Sequence, residues 1–283
     1  ALRNAIAGAT GSGQLVIRLT GSSYPLSQLL EVTDDEVAIL RTGSQVLSRN
    51  GDPVMTVSSS GIVYLADIAV ANGSGDGISC SGTSLWLHDS QVRNNAQLGL
   101  DISAGCQAHL IRSIVAVNNA GGIDQTGGEL YLTNSVVGLN GGIVSAFGGL
   151  SIDGTDLQVS YSTIAGNDSQ NPGMSVRCSG MNSGTVRNSI VVGADANSVD
   201  PCAGLSFSYS AVDESGLGGT NVDVGAFTPA DFVNAAMNDF HLTAAGQTTF
   251  MDIASWQAGD PITDVDGDPI PTDMPSFPGY DQP

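Results

Sequence analysis

The chain has no lysine: its eight basic residues are all arginine, set against 28 acidic residues, for a formal net charge of -20. Eight arginines among 28 acids leave little to neutralise a phosphate backbone, which comes close to excluding nucleic acid as a partner and disfavours anionic membrane surfaces. No apolar run approaches 18 residues, so membrane insertion through a helix is not expected. There is no Cys-x-x-Cys, and His88, His109 and His241 have no metal-ligand spacing along the chain, which argues against zinc. Charged residues make up 13% of the chain, about half the usual share, while the 37 glycines are nearly double theirs. Polarity comes instead from Ser, Thr, Asn and Gly, which suits exposed strands and corners.

What the chain has is a repeat. Leu85-Trp86-Leu87-His88-Asp89-Ser90-Gln91-Val92-Arg93-Asn94-Asn95 returns with drift as 108–118 and 130–140, and a fourth copy closes on Asn167. Its last Asn recurs at 72, 95, 118, 140 and 167, spacings of 23, 23, 22 and 27. Such a period, built of short alternating β-branched runs broken by Asn and Gly, marks a solenoid. Leucine-rich repeats need Leu at fixed offsets and a helical segment per unit, and neither is present. A parallel β-helix remains, with about three strands per coil and equivalent residues stacked roughly 4.8 Å apart. At that interval an Asn column can bond amide to amide, and Asn tolerates the left-handed backbone of a sharp corner.

Cys80 and Cys106 are 26 residues apart, Cys178 and Cys202 24, each about one coil. Partners on adjacent coils come within disulfide reach, which would imply an oxidising compartment; free core thiols are the alternative. Residues 1–9 place Leu2 and Ile6 on one helical face, so 1–13 reads as a cap on the open end of the core within a solenoid spanning 1–227. Longer coils at 140–167 and 162–189 suggest loops near residues 145–147 and 169–172. Residues 228–283, rich in proline, are expected to form an irregular segment lying over the last coil or along one face. Any signal peptide is expected to have been removed or to lie outside this sequence.

The coils resemble the right-handed parallel β-helix superfamily that includes pectate lyases. The Leu2-Arg3-Asn4-Ala5-Ile6 helix and a tail reading Asp239-Phe240-His241-Leu242-Thr243, Asp252-Ile253-Ala254, Gly259-Asp260 and Asp264-Val265-Asp266-Gly267-Asp268-Pro269 resemble large secreted bacterial β-helix repeat proteins. The resemblance implies an all-β, right-handed parallel β-helix and a secreted or cell-surface location. This chain departs from such tails at Ile270-Pro271, where Arg-Pro is usual.

Enzymes of the superfamily, as the resemblance implies, work on a strand face bearing carboxylates with a basic residue or bound calcium. Asp101 and Asp124, each two residues after a glycine, should stack on adjacent coils. Their column is expected to continue as Ser79, Ser151 and Ser175 with no Arg in register, which favours a solvated polar column over catalysis. Asp264, Asp266 and Asp268 invite a calcium reading, but Pro269 and Pro275 stand where the EF-hand has its Gly and Glu, so an Asp-capped turn is preferred and no cofactor is called for. Period-two alternation sends Tyr64, Trp86, His109 and Tyr131 outward in one stripe. Such a stripe suits sugar rings or an extracellular protein surface, unless the residues stack only for stability or lie under the tail. The expected function is a non-catalytic surface for adhesion or glycan binding. The alternatives are a polysaccharide lyase or hydrolase and a self-associating structural subunit.

Overall fold

The structure, a computed structural model, describes residues 2–7, 14–33, 36–170, 175–200 and 203–283. It is a parallel β-solenoid of about eight turns, and the expected architecture holds. Each turn contributes strands to three faces. Face A stacks Leu30–Val32, Met55–Val57, Ile78–Cys80, Leu98–Ile102 and Gly121–Thr126. Face B stacks Leu15–Leu19, the first half of Glu36–Arg49, the first half of Ile62–Ala71, Ser84–His88, Gln107–Ile111 and Glu129–Thr133. Face C stacks Gln91–Arg93, Ile114–Ala116, Val136–Gly138, Thr163–Ala165 and Ile190–Val192. The long strands Leu150–Ser160 and Val176–Arg187 run around a corner from A to B.

Alternation puts like beside like in the core. Leu65, Leu87, Leu110, Leu132 and Val159 form one inward column, and Val70, Val92, Val115, Val137 and Ile164 another, all essentially sealed from solvent. Helix Leu2–Ala7 drives Leu2 and Ile6 into the same core, as a cap should.

The Asn ladder forms over four of its five expected members. The Asn95 side-chain amide donates to Asn118 Oδ1 at 2.9 Å, Asn118 to Asn140 at 2.9 Å and Asn140 to Asn167 at 3.1 Å. Each of these oxygens also accepts the backbone N–H of the residue above. Asn72 is not a member: it is exposed, and Gly73 takes its rung by donating its N–H to Asn95 Oδ1. The coil one residue short in sequence is thus out of register by that residue. Nor do the ladder asparagines supply the left-handed corner. The residue before each does so: Asn72 (φ 60°), Asn94 (56°), Val117 (58°), Leu139 (55°) and Gly166 (64°). For Val117 and Leu139 this conformation is unfavourable by about 1–2 kcal/mol each, offset by the ladder bonds that follow.

A second ladder, of serine, turns the corner from B to C and was not read from the sequence. Ser90, Ser113, Ser135, Ser162, Ser189 and Ser210 are buried, and each hydroxyl accepts a backbone N–H from the coil above. Its signal was present as a Ser two positions before each face C valine or isoleucine.

Cys80 and Cys106 are joined, as their spacing suggested, with Cα atoms 5.8 Å apart. Closing a loop of that length stabilises the fold by about 3.5 kcal/mol in the chain-entropy model. The other expected bridge, Cys178–Cys202, falls on Cys202, which lies outside the described residues. Of the loop expected at 169–172, residues 171 and 172 also lie outside them. The loop near 145–147 exists, but its exposed tip is Ile143-Val144, while Ser145 and Phe147 turn inward.

The tail lies along face C and is less irregular than its prolines suggested. A hairpin pairs Phe232–Asn234 with Asp239–Leu242, and helix Ala244–Phe250 follows, capped by the Thr243 hydroxyl. Phe232, Phe240, Phe250 and Tyr280 pack on Val136, Ala165, Ile190 and Val192. A side chain at Gly138 would meet Phe240 at 2.4 Å, so only glycine admits the ring there.

The ladder makes a register-specific prediction. Asn118→Ala strands the Asn95 amide groups and the Val92 carbonyl in the core, and should lower unfolding free energy by at least about 3 kcal/mol. Asn72→Ala, losing only its tolerance of positive φ, should cost about 1 kcal/mol. Urea unfolding of the two variants checks this, and equal losses would contradict the register.

Candidate functional site

Trp86, His109 and Tyr131 occupy equivalent positions on face B and are brought into register by parallel pairing. Their rings stack face to face: Trp86 on His109 at 4.0 Å and 11°, His109 on Tyr131 at 4.5 Å and 7°. Tyr64 lies in register above Trp86, but its ring is near His88, at 6.2 Å. All four side chains are half-buried, and among the described residues no tail residue makes a hydrogen bond or ring contact with the stacked column. The stripe is therefore not a seam under the tail. Yet it is not the row of open ring faces that alternation suggested: the rings cover one another and present their edges.

Those edges carry polar partners two residues upstream on the same strands. Trp86 Nε1 donates to Ser84 Oγ at 3.0 Å, and the Tyr131 hydroxyl to Glu129 at 2.8 Å and Asp156 at 3.2 Å. Gln107 donates to the same Glu129 carboxylate, at 2.8 Å. Burial and these acidic neighbours push the Tyr131 phenol well above its ordinary pKa. Ser84, Gln107 and Glu129 form one wall of a groove of about 520 Å³, floored by the corner residues Gly82, Gly105 and Gly127. Its lining residues come from five consecutive coils, and the aromatic column, two residues further along the same strands, runs beside it without lining it.

On face A, Asp101 and Asp124 are in register on adjacent coils, as expected. Ser79 Oγ donates to Asp101 at 3.3 Å. Burial raises the Asp101 pKa, and the nearby Asp124 charge adds to this against the Ser79 bond. The column differs from the expected one below Ser151. Its next member is Arg177, not Ser175, which is fully buried. Extra residues in the longer coil shift the register by two, so a basic residue does stand in line, two coils below Asp124. The glycine preceding each aspartate serves the core: a side chain at Gly99 would meet Asn118 Nδ2 at 2.6 Å, and one at Gly122 would meet Asn140 Nδ2 at 2.9 Å.

Asp264, Asp266 and Asp268 do not converge on a calcium ion. Asp264 is fully buried and accepts the N–H groups of Asp266, Asp268 and Gln282, which is the Asp-capped turn. Asp266 turns instead to His241 at 3.0 Å. The Gly259-Asp260 element also acts structurally, with the Asp260 carboxylate gripping the Arg187 guanidinium and the Asn188 amide.

No family model matches this chain, and no curated protein does. Among solved structures it is similar to a chain described as the crystal structure of pectate lyase Pel9A, at 11% identity and a TM-score of 0.55. The similarity covers 97% of this chain and 90% of that one, and it shows a shared β-helix fold.

Burial between two rings lowers the His109 pKa, with Glu129 partly opposing this. The unfolded chain therefore takes up the proton first. The stability His109 lends is present above about pH 6.5 and is lost as pH falls through the ordinary His range. His109→Phe keeps a stacked ring without the titration. Between pH 7 and pH 5.5 the wild-type melting temperature should fall further than the variant's, and parallel pH profiles would refute this.

Proposed function

We propose that this chain is a non-catalytic, extracytoplasmic carbohydrate-binding β-helix, whose ligand is a neutral glycan laid along the groove beside the Trp86–His109–Tyr131 column. The observation that carries this reading is the groove itself: lined by five consecutive coils, Ser84, Gln107 and Glu129 among them, and running beside the stacked aromatic column. An extended polymer parallel to the axis would meet a polar side chain every roughly 4.8 Å, a hydroxyl, an amide and a carboxylate in turn. A net charge of -20 disfavours polyanions, which leaves uncharged sugars as the preferred class. The buried Cys80–Cys106 bridge supports an oxidising compartment, and no helix among the described residues is long and apolar enough to cross a membrane.

A second reading has its own observation. Asp101 and Asp124, with Arg177 in the same outward column, are the kind of group a polysaccharide lyase deploys, and the fold is that of a chain described as a pectate lyase. Calcium between the carboxylates would be needed to offset the repulsion of a polyuronate.

A glycan array followed by titration separates the two. Gln107 is exposed and its loss leaves no core cavity, so Gln107→Ala should weaken a bound neutral glycan about fivefold, the value of one hydrogen bond. Trp86→Ala should weaken it similarly and also lower the melting temperature, because His109 loses its stacking partner. Asp101→Asn should leave binding intact. Calcium-dependent turnover of a polyuronate, abolished by Asp101→Asn, would replace the first reading with the second.

A further inference from the structure

We infer that the C-terminal segment holds one divalent first-row transition-metal ion, with His241, Asp266 and Asp281 as its protein ligands and zinc as the ion that fits them best. Spacing along the chain hid the set, because it is assembled from strand Asp239–Leu242, the turn at Asp266 and the residues near the end of the chain. Each residue offers one ligand atom, and the three atoms lie within 4.8 Å of one another.

The geometry around His241 is that of a ligand. Its Nδ1 is held by Asp239 Oδ1 at 2.6 Å, the outer carboxylate that fixes the tautomer and orientation of a metal-binding imidazole. Its Nε2 is shielded from solvent and makes no hydrogen bond, although Asp266 Oδ2 is only 3.0 Å away. Two donors that close without a shared linear proton are placed as neighbours on one ion. With bonds of about 2.0–2.1 Å, adjacent tetrahedral ligands are about 3.3 Å apart. Asp281 is buried, and only its Oδ2 has a hydrogen-bond donor, the Leu242 N–H at 2.8 Å.

Charge points the same way. Asp239, Asp266 and Asp281 surround a single imidazole, and among the described residues the ion pairs of Asp239 and Asp266 run only to His241. Asp264 is not a ligand, because its oxygens are occupied by backbone N–H groups. By holding Asp266 N–H and Gln282 N–H on one carboxylate it brings two ligand-bearing segments together. An imidazole in the set selects against calcium and magnesium, which take oxygen ligands. The Tyr280 ring, 5.6 Å from His241, walls one side.

The test uses the full chain. Metal content after dialysis, zinc and calcium chloride titrations by calorimetry, and melting with and without EDTA are measured on wild type, Asp266→Asn and Asp268→Asn. Expected results are one zinc per chain, no competition from equal calcium, and a melting temperature about 4 °C higher at free zinc a hundredfold above Kd. Asp266 is exposed, so its variant should fold; its zinc affinity should drop at least tenfold, while that of Asp268→Asn stays unchanged. The absence of saturable zinc binding by the wild type, or equal binding by Asp266→Asn, would overturn the inference and leave a protonated His241 paired with carboxylates.

Discussion

The interval between coils governs this molecule. Parallel in-register pairing sets every residue about 4.8 Å above its counterpart, so a side chain is judged by whether copies of itself can occupy that spacing. Leucine and valine can, through van der Waals contact. Asparagine can inside the core, because one amide donates to the next and each oxygen also takes a backbone N–H. A buried polar column is normally a liability; here it is satisfied along its length and therefore specifies register in a way that an apolar column does not.

The same interval decides what the outer surface offers. Rings repeated at this distance collapse onto one another, and the 4.0 and 4.5 Å separations leave little face for a flat ligand. The aromatic column is thus a stiff wall, and specificity falls to the polar residues at its foot. Carboxylates at that interval cannot collapse. Asp101 is kept half-buried beside Asp124 with a raised proton affinity, so the face A column can take up a proton, a cation or a basic ligand group more readily than isolated aspartates would.

Most of the fold was legible because it repeats. The Asn period, the outward aromatics, the Cys80–Cys106 spacing and the Leu2/Ile6 cap each follow from one coil placed on another. What was illegible lies where the repeat is broken. A coil short by one residue placed Asn72 outside its ladder, and a coil longer by several moved Arg177 into the column where Ser175 was expected. Whether an extra residue is absorbed in a loop or shifts a strand depends on backbone closure at a corner, which composition does not encode. The serine ladder was missed for another reason. Serine is common enough in this chain that its period did not stand out against the background, whereas asparagine's did.

The tail obeys a different logic, since it has no neighbour of its own kind to stack on. Its docking site is chosen by a change in the outward residues of face C. Gln91 and Arg93 are polar, Ile114 and Ala116 apolar, and from Val136 and Gly138 onward the face is Thr163, Ala165, Ile190, Val192 and Ala211, apolar but for Thr163, whose hydroxyl takes the Tyr280 N–H. That apolar half cannot be left to water, and Phe232, Phe240, Phe250 and Tyr280 cover it. Hydrophobic contact alone would leave the tail free to slide along so smooth a surface. Polar contacts to the coils fix its position: Asp260 on Arg187 and Asn188, the Asn134 amide on the Thr263 carbonyl and the Tyr280 N–H on the Thr163 hydroxyl, while Asp281 on the Leu242 N–H and Asp264 on three N–H groups hold the tail's own segments together. In a chain without lysine, backbone N–H groups are the main partners left for buried acids. Concentrating acids in the tail in this way is also what gathers three carboxylates around His241.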